Sequence, residues 1–260
     1  MAGTASRMPD KDPHISDDWY EEAFDALYPV VYAHRTVEAA RDEAYFAMEA
    51  TGLTRESFVL DLCCGNGRHL AHLCDKAGLA VGLDYSPHLL EIARDAVGGC
   101  ATLVRADMRR QPFRSAFDIV MNFFTSMGYF DTEDENTQVL QGIADSLKPG
   151  GRFFIDYIGL DWTENNLQPE STRTEGEYII EEKRWIDRDR HRINKKTLVT
   201  RNGNLEGKLG ESVKLYSETE FVRMLRACDL VVESTFGDTT GAPMGPDQPR
   251  MIVVGRKNGA

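Results

Sequence analysis

Three short segments bring glycines and carboxylates to points where the backbone turns. The first, Asp61-Leu62-Cys63-Cys64-Gly65-Asn66-Gly67-Arg68, follows the apolar run that begins at Phe58 and precedes an amphipathic stretch. Gly65 and Gly67 carry no Cβ, so a ligand can approach the main chain of such a turn closely. The second is Gly82-Leu83-Asp84-Tyr85-Ser86, whose Asp84 follows Gly67 near the ~20-residue spacing at which an acid accepts hydrogen bonds from both hydroxyls of a ribose. In the third, Arg105-Ala106-Asp107-Met108, a carboxylate could accept from an adenine amino group while Met108 packs on the ring. Each has a plainer alternative, respectively a tight turn, a cap for a helix starting at Pro87, and a loop acid. Together they point to a nucleoside site.

The same residues narrow the nucleotide. A dinucleotide turn needs a third glycine for close helix packing and faces a pyrophosphate, and Leu70 stands where that glycine belongs. No Gly-x-x-x-x-Gly-Lys-Ser/Thr loop for a triphosphate is present. An adenosine ligand without phosphates fits best, and NAD or FAD is disfavoured.

Elements that can position these turns follow from the hydrophobic pattern. Apolar runs within 57–62, 79–86, 101–108, 117–130 and 152–158 alternate with helical patterns in the stretch between the glycine turn and Gly78, over 87–97 and over 132–147. That alternation predicts an α/β fold, a doubly wound and mainly parallel sheet, with ligands beyond the carboxyl ends of the strands. Residues 17–54 read as two helices interrupted near Pro29, the second ending at Gly52 and carrying Arg35. From 159 to 216, period-two alternation with Asn-Gly and Glu-Gly turns predicts a β-rich antiparallel insertion. Ser217 with Glu220 forms a capping-box pattern, and 230–238 and 249–257 predict a closing antiparallel hairpin on the sheet edge. Residues 1–16, poor in apolar groups, read as a disordered tail, and 55–158 with 217–260 as the core.

Composition sets outer bounds. The 260 residues carry 30 basic and 42 acidic groups, a net charge of −12, which argues against a phosphate backbone as main partner. The absence of any apolar run near the roughly 18 residues of a membrane span, and an opening segment unlike a signal peptide, predict a cytoplasmic protein. Cys63, Cys64, Cys74, Cys100 and Cys228 form no C-x-x-C pair and read as reduced thiols, with neither a disulfide framework nor a metal site expected.

Taken together, these segments resemble the class I S-adenosylmethionine-dependent methyltransferases. Val59 to His69 is similar to their first motif, Gly82 to Ser86 to their ribose motif, Arg105 to Met108 to their adenine motif, and Phe117 to Phe124 to their fourth motif; Leu147-Lys148-Pro149-Gly150-Gly151 resembles the turn before their fifth strand. The resemblance runs from about Trp19 to Lys257. It implies a seven-stranded Rossmann-like sheet and S-adenosyl-L-methionine as cofactor, with S-adenosyl-L-homocysteine as product. It also implies a binding set of Arg35, Asp61, Cys63, Gly65, Asn66, Gly67, Asp84, Tyr85, Ala106, Asp107, Met108, Asn122 and Phe123. The pattern departs from the family at Cys63, Cys64 and Asn66. A narrower likeness, through Phe124 to Tyr129 and Phe236-Gly237-Asp238, is to sugar N-methyltransferases.

The implied reaction is in-line displacement, in which alignment does most of the work and no metal is needed. Tyr129 and Tyr157 are the candidate catalytic groups, to orient or deprotonate the acceptor, with a packing role as the alternative for both. Arg35 could pair with the cofactor's carboxylate, or be a solvated helix arginine; His69 reads as a packing or hydrogen-bonding residue. Lys183, Arg184, Arg188, Arg190, Arg192, Lys195 and Lys196, interleaved with Trp185, read as the charged outer face of an exposed hairpin rather than a site for an anion or RNA. The expected function is methyl transfer to an N or O nucleophile of a small molecule, with the N-terminal helices and the insertion as the acceptor lid. The rivals are an RNA or protein methyltransferase and a non-catalytic adenosine-binding subunit. A homodimer is compatible with the sequence.

Overall fold

The computed structural model describes residues 15–259. Its order is α1 (Tyr20–Ala23), α2 (Tyr28–Val31), α3 (Arg41–Thr51), β1 (Phe58–Leu62), α4 (Leu70–Cys74), β2 (Leu79–Asp84), α5 (Pro87–Val97), β3 (Thr102–Arg105), β4 (Phe117–Asn122), α6 (Glu133–Ser146), β5 (Leu147–Ile158) and α7 (Leu160–Asn166). Four strands follow, β6 (Glu170–Glu175), β7 (Tyr178–Asp187), β8 (Arg192–Arg201) and β9 (Asn204–Lys214), then α8 (Glu218–Ala227), β10 (Leu230–Phe236) and β11 (Arg250–Lys257).

The main sheet has seven strands in the order β10-β11-β5-β4-β1-β2-β3. β1 to β5 are parallel, and β11 runs antiparallel between β5 and β10. Strand order reverses at β1, so the crevice between the carboxyl ends of β1 and β4 is the place where a ligand fits. Alternate residues face opposite layers: Leu60, Val120, Phe153 and Val253 pack with α6 and α8, while Val59, Ile119, Phe154 and Val254 pack with α3 and α4. Burial on both faces explains why these strands read as continuous apolar runs.

Local chemistry sets the helix ends. Ser86 caps α5 by accepting from the Leu89 amide, with Pro87 in the first turn and left-handed Gly98 after the last. Ser217 and Glu220 form the expected reciprocal capping box on α8. Gly67 is obligatory twice over: its φ is +78°, and a Cβ there would lie 3.0 Å from Ala93 on α5.

The second sheet, β6-β7-β8-β9, is antiparallel throughout. Three expectations need correction. The N-terminal segment forms three helical pieces rather than two; Pro29 sits inside the one-turn α2, where its ring suits the first turn, and Arg35 lies in the turn before α3 rather than on a helix. The tail expected over 1–16 falls outside the described residues except for Ile15 and Ser16, and Ile15 is buried with Trp19 and Ala23. Cys74 and Cys100 are joined in a disulfide, their Cα atoms 5.6 Å apart. The end of α4 and the turn after α5 meet on one side of the sheet, a proximity that a separation of 26 residues conceals.

Candidate functional site

A cavity of about 300 Å³ opens at the carboxyl ends of β1, β2 and β4, a volume within the range of small-molecule sites. Of the residues that sequence singled out, Arg35, Cys63, Gly65, Asn66, Asp84, Tyr85, Ala106, Asp107, Met108, Phe123 and Tyr129 line it. Gly67, Asp61, Asn122 and Tyr157 do not.

The glycine turn is held from behind by Asp84. Its Oδ2 accepts from the Gly65 amide at 2.8 Å and its Oδ1 from the Ser86 amide at 2.9 Å. Burial raises its pKa, and the amide contacts oppose that rise. A carboxylate offers about four acceptor positions, so the backbone amides leave acceptor capacity for a hydroxyl in the cavity. Asp107 differs. Arg109 contacts both of its oxygens from Nε and Oδ2 again from Nη2, and the Arg109 amide donates to Oδ1. Burial would raise the Asp107 pKa, but the Arg109 hydrogen bonds bring it below the usual range. Its acceptor positions are thus already committed, and an adenine amino group would have to share them. Met108, with the Cys63 thiol 3.3 Å from its sulfur, offers the apolar face beside it.

Asp61 sits behind the turn at 1% exposure. Burial, with Asp84 close by, pushes its carboxyl up to about 8, and its Oδ2 has no partner. Asn122 is likewise buried, donating to the Leu62 carbonyl at 2.8 Å with its Oδ1 unpartnered. Both brace the switch point from within the sheet.

Three residues without glycine's freedom adopt left-handed backbone here: Cys63 (φ 63°), Phe124 (φ 58°) and Thr125 (φ 59°). Such conformations cost roughly 1–3 kcal/mol each and persist where surroundings fix them. Asp156 does so for the β4 loop, its Oδ2 accepting from the Phe124 amide and its carbonyl from the Thr125 amide.

Arg35 enters the cavity between rings, its guanidinium carbon 3.7 Å from the Tyr32 centroid and 4.1 Å from that of Phe124. Nη1 donates to Tyr28 at 3.1 Å, and Nε is buried without a partner. This orphaned donor and the spare acceptor capacity of Asp84 fit the carboxylate and ribose of an S-adenosyl group. His69 stacks on Phe123, ring centroids 4.1 Å apart, with Nε2 2.7 Å from Glu43. Its burial pushes it down to about 4.

Tyr129 packs against Trp19 and Phe24, and desolvation holds its phenol well above the ordinary value of 10. It is therefore a neutral phenol at neutral pH. Tyr157 corrects the second catalytic expectation: it is 0% exposed, packed on Phe221, and donates to the Lys214 carbonyl. β5 alternation turns it into the layer beneath α8, away from the cavity.

The inserted sheet supplies what sequence reading missed. Arg184, Asn194, Lys195 and Glu211 line the cavity opposite the strand ends, with Tyr28 and Tyr32 from α2 and its following turn. Arg192 is buried, donating to the carbonyls of Gly128, Tyr129 and Phe130 and to Ser212, and so ties the insertion to the loop that carries Tyr129. The basic stretch is thus not simply an outer face. Arg188 does face outward, pairing with Glu164, but Arg184, Arg192 and Lys195 turn inward. Strand alternation was a usable signal; the register that aligns these residues was not.

The fold is that of the class I S-adenosylmethionine-dependent methyltransferases, with the glycine turn, Asp84 and Asp107 gathered at a reversed strand order. Residues 59–151 match the family described as a methyltransferase domain. Among characterised relatives, the chain is similar to the dTDP-3-amino-3,4,6-trideoxy-alpha-D-glucopyranose N,N-dimethyltransferase of Streptomyces venezuelae, with 33% identity over 138 residues, 53% of this chain and 58% of that protein. It is also similar to the dTDP-3-amino-3,6-dideoxy-alpha-D-glucopyranose N,N-dimethyltransferase of Streptomyces fradiae, with 29% identity over 55% of each chain. The matched segment thus spans little more than half of either relative. A SAM-bound amino pentose methyltransferase from Micromonospora echinaspora shares the fold, with a TM-score of 0.68 over 90% of this chain and 98% of that one at 20% identity. No helix among the described residues is long and apolar enough to cross a membrane.

Proposed function

We propose that the protein transfers a methyl group from S-adenosylmethionine to a nucleophile on a small-molecule acceptor, an amine by preference. The observation that carries this reading is the single cavity that Arg35, Gly65, Asp84 and Met108 line together. Its far wall, from the inserted sheet, adds polar side chains to the space an acceptor would enter. Relatives that act on amino sugars favour nitrogen as the nucleophile.

When bound, the cofactor supplies an electrophilic methyl group on a cationic sulfur. Asp84 holds the ribose hydroxyls and keeps the glycine turn in place through the Gly65 amide. Arg35 takes the carboxylate, oriented by Tyr28 and by stacking between Tyr32 and Phe124. Ala106, Tyr85 and Met108 flank the adenine, with Asp107 fixed on Arg109. Tyr129 and Phe123 line the same cavity, where an aromatic ring would favour the cationic sulfur of a bound cofactor. Alignment of nucleophile, carbon and sulfur at near-attack distance accounts for most of the acceleration, and a rigid wall supplies it.

The test is a titration of S-adenosylhomocysteine into the protein, followed by transfer of labelled methyl from S-adenosylmethionine to a panel of amino and hydroxy sugar nucleotides. Saturable binding with label in an amine supports the reading. A protein that does not bind S-adenosylhomocysteine refutes it.

A further inference from the structure

Across three strands of the inserted sheet, Arg184, Lys195 and Glu211 stand directly opposite one another, Arg184 paired with Lys195 and Lys195 with Glu211. All three line the cavity. The partners of Glu211 converge on a single oxygen. The Tyr32 hydroxyl donates to Oε1 at 2.5 Å, and Lys195 Nζ lies 2.8 Å from that same atom. No described residue donates to Oε2, and the side chain keeps 24% of its surface exposed within the cavity wall.

The charged and titratable groups around Glu211 come from every element packed against it. Lys195 stands on β8, shared with Glu182 of β7 at 3.8 Å; Arg35 stands in the turn before α3, Tyr28 and Tyr32 at α2, and Tyr129 in the β4 loop. Burial opposes ionisation of Glu211, but the charge and hydrogen bond of Lys195 and the Tyr32 hydroxyl hold its pKa below the ordinary value. The group is therefore a carboxylate near neutral pH and a weak base.

We infer that Glu211 selects an amine as the methyl acceptor, its free Oε2 accepting a hydrogen bond from the amine N–H and offsetting the positive charge that nitrogen acquires. This rests on the methyl-transfer reading above. In the step, the nitrogen lone pair forms the C–N bond while the C–S bond breaks and its electron pair stays on sulfur, so one positive charge passes from sulfur to nitrogen. The N-methylammonium product then loses its proton to solvent, and Glu211 need never be protonated. A fixed carboxylate placed where positive charge develops stabilises that transition state more than the ground state. A hydroxyl acceptor must instead lose its proton to a base of suitable pKa. Glu211 is too weak a base, Tyr32 and Tyr129 are held far above neutrality, and His69 is engaged by Glu43.

The test uses the full chain with S-adenosylhomocysteine bound and a matched probe pair, dTDP-3-amino-3,6-dideoxyglucose and dTDP-6-deoxyglucose, which differ only in amine against hydroxyl. Calorimetry should show the wild type binding the amine at least tenfold more tightly. Glu211→Gln should abolish that preference and lower kcat on the amine by about 100-fold, with S-adenosylhomocysteine affinity unchanged within twofold. Glu211→Asp, which keeps the charge but withdraws it by one methylene, should retain the preference with a reduced kcat. Equal or absent binding of the two probes by the wild type overturns the inference, as does a Gln variant that keeps the preference or an Asp variant indistinguishable from Gln. Failure to bind S-adenosylhomocysteine sinks the methyl-transfer reading itself. Normal binding without amine preference sinks only the role of Glu211.

Discussion

Removing the Asp84 carboxylate perturbs the site at its most connected point. The side chain anchors the glycine turn through the Gly65 amide at 2.8 Å and the start of α5 through the Ser86 amide at 2.9 Å, and it retains acceptor capacity for a ribose. A hydrogen bond to a charged group contributes about 1.5–3 kcal/mol, so Asp84→Ala should weaken S-adenosylhomocysteine binding by roughly 10- to 150-fold. Stability should respond less. Because burial raises the Asp84 pKa, the folded state holds that proton more tightly than the unfolded chain does. The favourable contribution is therefore present below the unfolded pKa near 4 and is lost as pH rises through the folded value. Above the folded value that contribution is gone, and removing the side chain then trades its amide contacts for relief of a buried charge. Calorimetric titration of wild type and Asp84→Ala, with thermal melts as a check on folding, measures both effects. A variant that melts normally and binds S-adenosylhomocysteine with wild-type affinity would refute the ribose assignment.

Arg35→Met should weaken S-adenosylhomocysteine binding by about 10-fold or more through loss of a charged donor, while leaving 5′-methylthioadenosine, which lacks the carboxylate, unaffected; parallel titrations of the two ligands check this. Tyr157→Phe should keep full methyl transfer yet lose roughly 1–3 kcal/mol of stability, because the Lys214 carbonyl is left without its donor, and denaturant melts beside a turnover assay separate the two. His69, pushed down to about 4 by burial, refuses a proton that the unfolded chain takes near 6.5. Its linkage removes about 2 kcal/mol of stability between pH 7.5 and 5, with the loss continuing as pH falls through 4. Glu43, whose pKa burial raises but His69 draws below normal, loses its contribution in the same direction at lower pH. His69→Gln, which keeps a donor to Glu43 but does not titrate, should flatten the melting temperature between pH 7.5 and 5; an unchanged slope would show that His69 does not titrate as described.

The turn, ribose and adenine segments were legible because their chemistry is local. A glycine at φ +78°, an acid at a strand end and a cap before Pro87 each leave a mark within a few residues of chain. The parallel sheet was legible for a related reason, since strands buried on both faces must be apolar throughout. Arg35 was found by type but placed on the wrong element, because a one-turn helix opened by Pro29 looks like a broken longer one.

The sequence by itself thus determined the sheet, the order of its elements along the chain and the strand-end segments that line one side of the cavity, where each requirement acts over a handful of adjacent residues. Only tertiary structure decided the acceptor end. Whether Tyr157 faces the cavity or α8 depends on which side of β5 is up at that position, and whether Lys195 meets Glu211 depends on the register between β8 and β9. Register turns on side-chain packing across strands, and a one-residue slip reverses every side chain. The same dependence on distant pairing hid the Cys74–Cys100 link and the inward turn of Arg184, Arg192 and Lys195, which composition alone had assigned to solvent.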